Sequence, residues 1–353
     1  MALTETGNQE AVTNVIDGNG VYNYFNEEDD IVLGGKQTVT EGFFTNNAGT
    51  LEAFYTSSAQ AILSSSRYYL DVYQTGSSDS GAEVQFDISY AKYGGIGEAD
   101  PTGWEEDYSA SDAVYRQYAS ILLPTSESKF TFADGDTKDE VLIVNFKRDK
   151  LKEGLQKGYW QLNLSGSNTS GSSLIDESRE PSYGTVAVGA GVGEAYYIVS
   201  GTVGASGERF ETATAHPYGI AYPDLGILVL NGTQVSESLD ITWAGTTTAR
   251  NKQFFGAIES GSYFRVKNEE ELSSAHYFVR AKNKKYNFSN NATWITGSNG
   301  VIKHTDMWND PKVYITTVGL YNDNNELLAT AKLSKPVQKS FDRELLVKVR
   351  LDY

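Results

Sequence analysis

The chain has 353 residues, with 46 acidic against 29 basic side chains, a net charge of −17 and no cysteine. The missing thiols exclude disulfides, cysteine-ligated zinc, iron–sulfur clusters and thiol nucleophiles. So acidic a surface disfavours nucleic acid and anionic membrane by repulsion.

The length suits two or three domains. With 34 Gly, 23 Tyr and 15 Phe, the composition predicts a mainly β fold of antiparallel, sandwich-like sheets with a few short helices. The opening residues lack the basic and apolar regions of a signal peptide. No apolar run reaches the roughly 18 residues that span a bilayer. The reading is a chain made and kept soluble.

Residues 1–45 are polar and acidic, and Val21, Tyr22, Tyr24 and Phe25 are too few for a core. They read as an N-terminal arm, docking on a neighbouring subunit or lying over its own domain. Residues 46–165 read as a first β-rich domain with one helix. Leu51 to Ser65 is ambiguous between helix and strand. Arg67 to Gln74 and Glu83 to Tyr93 read as strands. In the second, Val84, Phe86, Ile88 and Tyr90 alternate with Gln85, Asp87 and Ser89, the period of a half-buried strand. Ser111 is placed to N-cap a helix ending before Pro124. Val114, Tyr118, Ile121 and Leu122 recur at helical spacing and predict its apolar face. Val141 to Phe146 is a buried strand, and Lys147 to Lys157 a short charged helix stopped by Gly158. Trp160, Leu162 and Leu164 alternate as a further strand.

Ser165 to Ser173 is the strongest linker signal. Residues 166–260 read as a β-rich middle domain, with strands at Gly184–Val188, Ala195–Val203, Ile220–Tyr222 and Gly226–Leu230, then a turn at Asn231 and Gly232. A second arrangement stays open, in which later strands complete a sheet begun near residue 50 and the middle is an insertion. Residues 261–353 read as a C-terminal β domain, strand-like at Tyr263–Val266 and Tyr277–Arg280. Lys282, Lys284 and Lys285 with Tyr286 and Phe288 form a locally basic, aromatic patch. It suits an acidic subunit or, by stacking, nucleic acid; the net charge favours the subunit.

Val313 to Tyr321 predicts a strand, Asn322 to Asn325 a turn, and Glu326 to Leu333 the returning strand of a hairpin. Ser334 to Asp342 reads as a polar loop around Pro336, which cannot donate to a ladder. Val347, Val349, Leu351 and Tyr353 alternate with Lys348, Arg350 and Asp352, a half-buried strand whose end is expected to be held by a sheet or partner.

Candidate chemistry is sparse. Gly189 to Gly193 follows an apolar run, but Glu194 stands where a dinucleotide loop needs its third glycine. A glycine-rich turn is the reading. Asp134, Asp136, Asp139 and Glu140 have the wrong spacing for a calcium loop and read as a solvated turn. His216, His276 and His304 are scattered, without metal-ligand spacing. No G-x-S-x-G elbow is present. Two carboxylates of a glycosidase need no local signature, so that enzyme stays an alternative. The main reading is a non-enzyme without cofactor or metal.

Ile315–Tyr321 followed by Glu326–Pro336 resembles the closing segment of virion structural proteins of contractile-tailed, T4-like bacteriophages of cyanobacteria. Tyr68–Tyr73, Val84–Tyr90, Tyr115–Tyr118, Val141–Phe146 and Tyr222–Leu230 are similar to other stretches of that family. The resemblance implies a structural tail or baseplate protein, a homo-oligomer in a threefold or sixfold setting that docks other tail, baseplate or fibre proteins. It implies no nucleic-acid or membrane partner and a location in the virion. A receptor-binding or fibre-adaptor module for host glycan, or a neck or head decoration protein, are the alternatives. Interface residues are expected at Tyr314, Leu320, Tyr321, Val347, Val349, Leu351 and Tyr353, with Lys282, Lys284, Lys285 and Tyr286.

Overall fold

The computed structural model describes residues 30–33, 36–57, 69–95, 110–133, 135–166, 172–179, 185–204, 209–211, 218–240, 250–297, 301–322 and 324–353. Most of the expected arm, much of Leu51–Ser65, Asp134 and His216 lie outside these residues. The protein is mainly β, with antiparallel sheets and short helices.

Strand β1 spans Asp30–Leu33, β2 Gln37–Gly42, β3 Thr50–Leu51, β4 Tyr69–Tyr73 and β5 Val84–Lys92. Helix α1 (Ala110–Leu122) precedes β6 (Glu140–Phe146), and helix α2 (Arg148–Leu151) precedes β7 (Gly154–Leu155). Then come β8 (Gln161–Leu164), β9 (Ser172–Asp176), β10 (Tyr196–Val203), β11 (Arg209–Glu211), β12 (Gly219–Tyr222) and β13 (Ile227–Asn231). Helices α3 (Gly232–Leu239) and α4 (Arg250–Gly261) lead into β14 (Phe264–Arg265), β15 (Lys267–Leu272) and β16 (Ser274–Ala281). The chain closes with β17 (Ile295–Thr296), β18 (Val301–Ile302), β19 (Val313–Tyr321), β20 (Leu327–Lys339) and β21 (Leu345–Asp352).

Two units emerge, residues 39–270 and residues 1–38 with 271–353. The larger is inserted in the smaller. The division expected at residue 165 falls inside one sheet, because β8 pairs with β9 and Leu162 stands opposite Leu174. Later strands do complete a sheet begun near residue 50, since Phe264 of β14 stands opposite Leu51 of β3.

The large sheet of the inserted unit runs β3-β14-β8-β9-β10-β12-β13-β6-β5-β4, with β11 beside β10. Its two ends meet. Tyr55, just after β3, exchanges both backbone hydrogen bonds with Tyr73 of β4, at 3.0 and 2.8 Å. Phe264 of β14 packs 5.4 Å from Phe86 of β5 and 5.5 Å from Phe146 of β6, ring centre to ring centre. The sheet thus closes around an aromatic interior, which removes the free edges that an open sheet exposes.

Alternation assigns the faces. Leu142, Val144 and Phe146 of β6 point into this interior, together with Val235 and Leu239 of α3 and Phe254 and Ile258 of α4. Val141 and Ile143 point to the other face, under Tyr115, Ala119, Leu122 and Leu123. Of the predicted face of α1, Leu122 is buried and Val114 and Tyr118 pack partly buried against this core, whereas Ile121 is 49% exposed; Tyr115 and Ala119 complete the buried side. Ser111 lies within the helix, whose first residue is Ala110. Strand β5 is covered on both faces, for Gln85 and Ser89 are buried too. Gln85 accepts from Thr45 N at 2.9 Å and donates to the Glu83 carbonyl at 2.8 Å.

Three further readings change. Residues 185–188 are not strand. The charged helix after β6 is one short turn, α2, followed by β7. Asn231 opens a helix rather than a turn: its Oδ1 accepts from Thr233 N and Gln234 N at 3.1 and 3.2 Å, the work of an N-cap.

In the smaller unit β16 lies between β1 and β21. β21 is in register from Leu345 opposite Ala281 to Asp352 opposite Ser274. The held end is observed, for Tyr353 and Ser273 exchange two backbone hydrogen bonds of 2.9 Å. The hairpin β19–β20 packs over this sheet through Val279, Val318, Leu320 and Val349. The segment read as a loop around Pro336 belongs to β20. Its register jumps from Val337 opposite Ile315 to Lys332 opposite Thr317. Pro336 thus sits in a bulge, where a missing N–H is tolerated.

Candidate functional site

The expected interface residues separate into core and surface. Leu320 and Val349 are buried in the small core, and Val347 and Leu351 pack against it. They hold the hairpin to the sheet and are not outer contact residues. Tyr314 is 62% and Tyr353 70% exposed. Tyr321 is half-buried: its ring lies over Gly319, where an added Cβ would come within 2.8 Å of Tyr321 Cε2. The outer hairpin face therefore carries Tyr314, Leu328, Thr330 and Lys332, all exposed, beside the half-buried Gly319 and Tyr321.

Lys284, Lys285 and Tyr286 are exposed in the loop after β16. Tyr286 has φ +59°. A buried lysine shapes this loop. Lys339 Nζ donates to the Asn283 carbonyl (2.9 Å), Asn287 Oδ1 (2.9 Å) and the Ser340 carbonyl (3.0 Å), which uses all three ammonium hydrogens. Burial pushes its pKa down, against a smaller upward pull from Glu344. Sequence reasoning missed Lys339, which lies among residues assigned to a polar loop. Phe288 packs edge-on to Trp294, 5.1 Å between centres. Trp308 Nε1 donates to the Ile302 carbonyl at 3.2 Å.

The inserted unit carries a polar cleft of about 370 Å³, lined by Tyr69, Asp71, Asp87, Ser89, Val114, Gln117, Tyr118 and Asn145. Strand register builds it. Asp71 of β4 stands directly opposite Asp87 of β5, and Asp87 opposite Asn145 of β6. Tyr69 stands opposite Ser89, and α1 supplies Val114, Gln117 and Tyr118. Asn145 Nδ2 donates to Asp87 Oδ2 at 3.1 Å. Burial pushes the Asp87 carboxyl up to about 6, with Asp71 adding to the rise and Asn145 opposing it. Tyr118 is pushed up to about 12 by burial and by Asp87. Two facing carboxyls, an amide, hydroxyls and aromatic rings can hydrogen-bond and stack on a polyhydroxylated ligand. Asp87 was legible as a polar position of β5; its pairing with Asp71 depends on register, which neither strand carries alone.

The other candidates disperse. Asp136 pairs with Lys138 at 3.2 Å and Asp139 with Lys129 at 2.8 Å. Glu140 meets Lys92 at 3.1 Å and Arg250 at 2.9 Å. Gly191 and Gly193 adopt φ of +81° and +84°, and Gly189 N donates to the Leu122 carbonyl at 2.9 Å, a glycine turn as expected. His276 lies on β16 opposite Arg350, and His304 is exposed in a loop. Among the described residues no three His, Asp or Glu side chains gather as a metal site, and no helix is long and apolar enough to cross a membrane. No family model, curated protein or solved structure matches the chain.

Proposed function

We propose that this chain is a non-enzymatic structural component of a tailed-phage virion, in the tail or baseplate, which assembles as an oligomer and docks neighbouring tail or fibre proteins. One observation carries most of the support. Of thirteen large hydrophobic side chains exposed among the described residues, ten lie in residues 271–353: Tyr286, Phe288, Val301, Trp308, Tyr314, Leu327, Leu328, Phe341, Leu346 and Tyr353. The core beneath the hairpin is small. Exposed apolar side chains gathered on one module support a role in contacts with other proteins. Antibody labelling of intact and contracted particles tests the reading. Label at the distal tail plate is the expected result, and label on the head or neck moves the protein there. Absence of the protein from particles ends the proposal.

The polar cleft favours a second reading, a fibre-adaptor module that grips host surface glycan through Tyr69, Asp71 and Asp87. Titration of host polysaccharide into the protein tests it. The expected result is saturable binding that falls at least tenfold in Asp71→Ala. Equal binding by the variant removes the cleft from consideration.

A further inference from the structure

The floor of the polar cleft in the inserted unit is rich in acceptors. Asp71 and Asp87 face one another across β4 and β5, and Asp87 faces Asn145 across β5 and β6. Asn145 Nδ2 donates to Asp87 Oδ2 at 3.1 Å, which leaves Asp87 Oδ1 and Asn145 Oδ1 without a hydrogen bond from any described residue. Ser89 lies two residues on, on the same face of β5 as Asp87, and lines the cleft. It is only 4% exposed, yet its hydroxyl has no hydrogen-bond partner among the described residues. Buried polar groups are nearly always partnered, so this floor suits a group that donates several hydrogen bonds. The charge acting on Asp87 is negative, from Asp71, and no described lysine, arginine or histidine lines the cleft.

We propose that the cleft binds an amine-bearing sugar, a hexosamine whose free ammonium donates to Asp87, Asn145 and Ser89 within the field of Asp71. The inference rests on the glycan reading of the cleft and narrows its ligand. An ammonium brings three donors and no acceptor, and its hydrogen bonds to a carboxylate are charge-assisted. Size and lining select the rest of the molecule. An ammonium alone, near the ~30 Å³ share of a water molecule, would leave most of the roughly 370 Å³ unfilled. Val114 is the sole aliphatic side chain among the described lining residues, so the walls suit a hydroxylated ring better than the stem of a lysine. Tyr69, Gln117 and Tyr118 can meet ring hydroxyls, and the tyrosine rings can stack on its apolar face. Calcium takes about six to eight oxygen ligands, and among the described residues no three His, Asp or Glu side chains gather. An acidic sugar would set a third carboxylate beside the pair and be repelled. Binding is linked to a proton. Burial and Asp71 raise the Asp87 pKa to about 6, and an ammonium favours the ionised carboxylate. The titratable groups lining the cleft with Asp87 are Tyr69 and Asp71 of β4 and Tyr118 of α1, while β6 brings the Asn145 amide. Tyr118 is pushed up to about 12 and stays neutral. The bound cation therefore expels about half a proton at pH 6, and affinity falls about tenfold from pH 7 to pH 5 as Asp87 is protonated.

The test is titration calorimetry of the full chain with glucosamine, glucose and glucuronic acid at pH 7, 6 and 5. The expected result is saturable binding of glucosamine, about tenfold or more tighter than that of glucose, with no binding of glucuronic acid. Glucosamine affinity is expected to fall about tenfold between pH 7 and pH 5, and heats in buffers of different ionisation enthalpy to show proton release at pH 6. Asp87→Asn removes a buried charge and so keeps the fold; it is expected to bind glucosamine about tenfold or more weakly. Ser89→Ala is expected to weaken binding about fivefold. Absence of glucosamine binding, unchanged binding in Asp87→Asn, or displacement of glucosamine by an equal concentration of calcium overturns the proposal. So does Nα-acetyl-lysine amide that binds as tightly as glucosamine, because the cation would then come from a protein side chain. Glucose that matches glucosamine overturns the amine and leaves the glycan reading standing. Glucosamine binding without binding of host polysaccharide supports the amine and overturns the host-glycan reading.

Discussion

Asp87 carries a carboxyl whose proton folding favours, because burial and the facing Asp71 both raise its pKa from 3.8 to about 6. The group therefore adds stability below the lower value and loses it as pH rises through the upper one. At neutral pH its ionised form is a burden of the order of 2 kcal/mol. Asp87→Asn keeps an acceptor for Asn145 and removes the charge. The variant is expected to unfold at higher denaturant than the parent at pH 7.5 and at the same denaturant near pH 3.5. An equal gap at both pH values would contradict the account. Lys339 makes the opposite case. Lys339→Met strands three oxygens that its ammonium now satisfies, at an expected cost of about 2–4 kcal/mol. Hydrogen exchange should locate the loosening in the loop of Asn283 and Asn287. Neither role was legible in sequence. A polar residue in an alternating strand marks a face, but the partner across the ladder is set by register, and a lysine near a proline resembles any solvated loop.

Strands were the most legible elements. The hairpin of β19 and β20, the terminal β21, and β5 and β6 all announce themselves through period-two patterns or β-branched runs. Errors arose where a residue's local preference yields to tertiary packing. Pro336 continues β20 because a bulge absorbs it, and Asn231 with Gly232 begins α3 because the Asn231 side chain satisfies two backbone N–H groups. On α1 the predicted face holds at Val114, Tyr118 and Leu122 but misses Tyr115, whose hydroxyl donates to the Lys138 carbonyl at 2.8 Å, a partner that helical spacing does not reveal. Closure of the large sheet left no local trace. Its strength is measurable: Phe264→Ala removes a ring that touches Phe44, Phe86 and Phe146 and is expected to cost about 3–5 kcal/mol. Phe288→Ala, at a half-exposed ring, is expected to stay within about 1 kcal/mol. Equal losses in the two unfolding titrations would argue against a closed interior.

At the scale of the whole molecule, one chain builds its smaller unit from two separated segments. The passages between the units fall within β2 and β15, neighbours in a three-stranded sheet with β7, so the inserted residues enter and leave side by side. Such an insertion retains its own core, and a fragment of residues 39–270 is expected to fold by itself with a cooperative thermal transition. A fragment without dispersed amide resonances would refute that. The arrangement left open from the sequence, with residues 166–260 as the insertion, is not the one found: β9, β10, β12 and β13 belong to the same sheet as β3 and β14, and the inserted residues are 39–270. Strand pairing over such separations depends on the folded ladder. The placement of β16 between β1 and β21 has a mechanical consequence. Asp30 of β1 stands opposite Phe278, and Tyr353 is tied at Ser273, so the two outer strands run parallel to each other and are anchored toward opposite ends of β16. A pull on Asp30 against Tyr353 loads the ladders in shear, with many bonds strained at once instead of one after another. Tension would cross laterally through β16 and bypass the inserted residues, leaving them slack while the clamp bears the load.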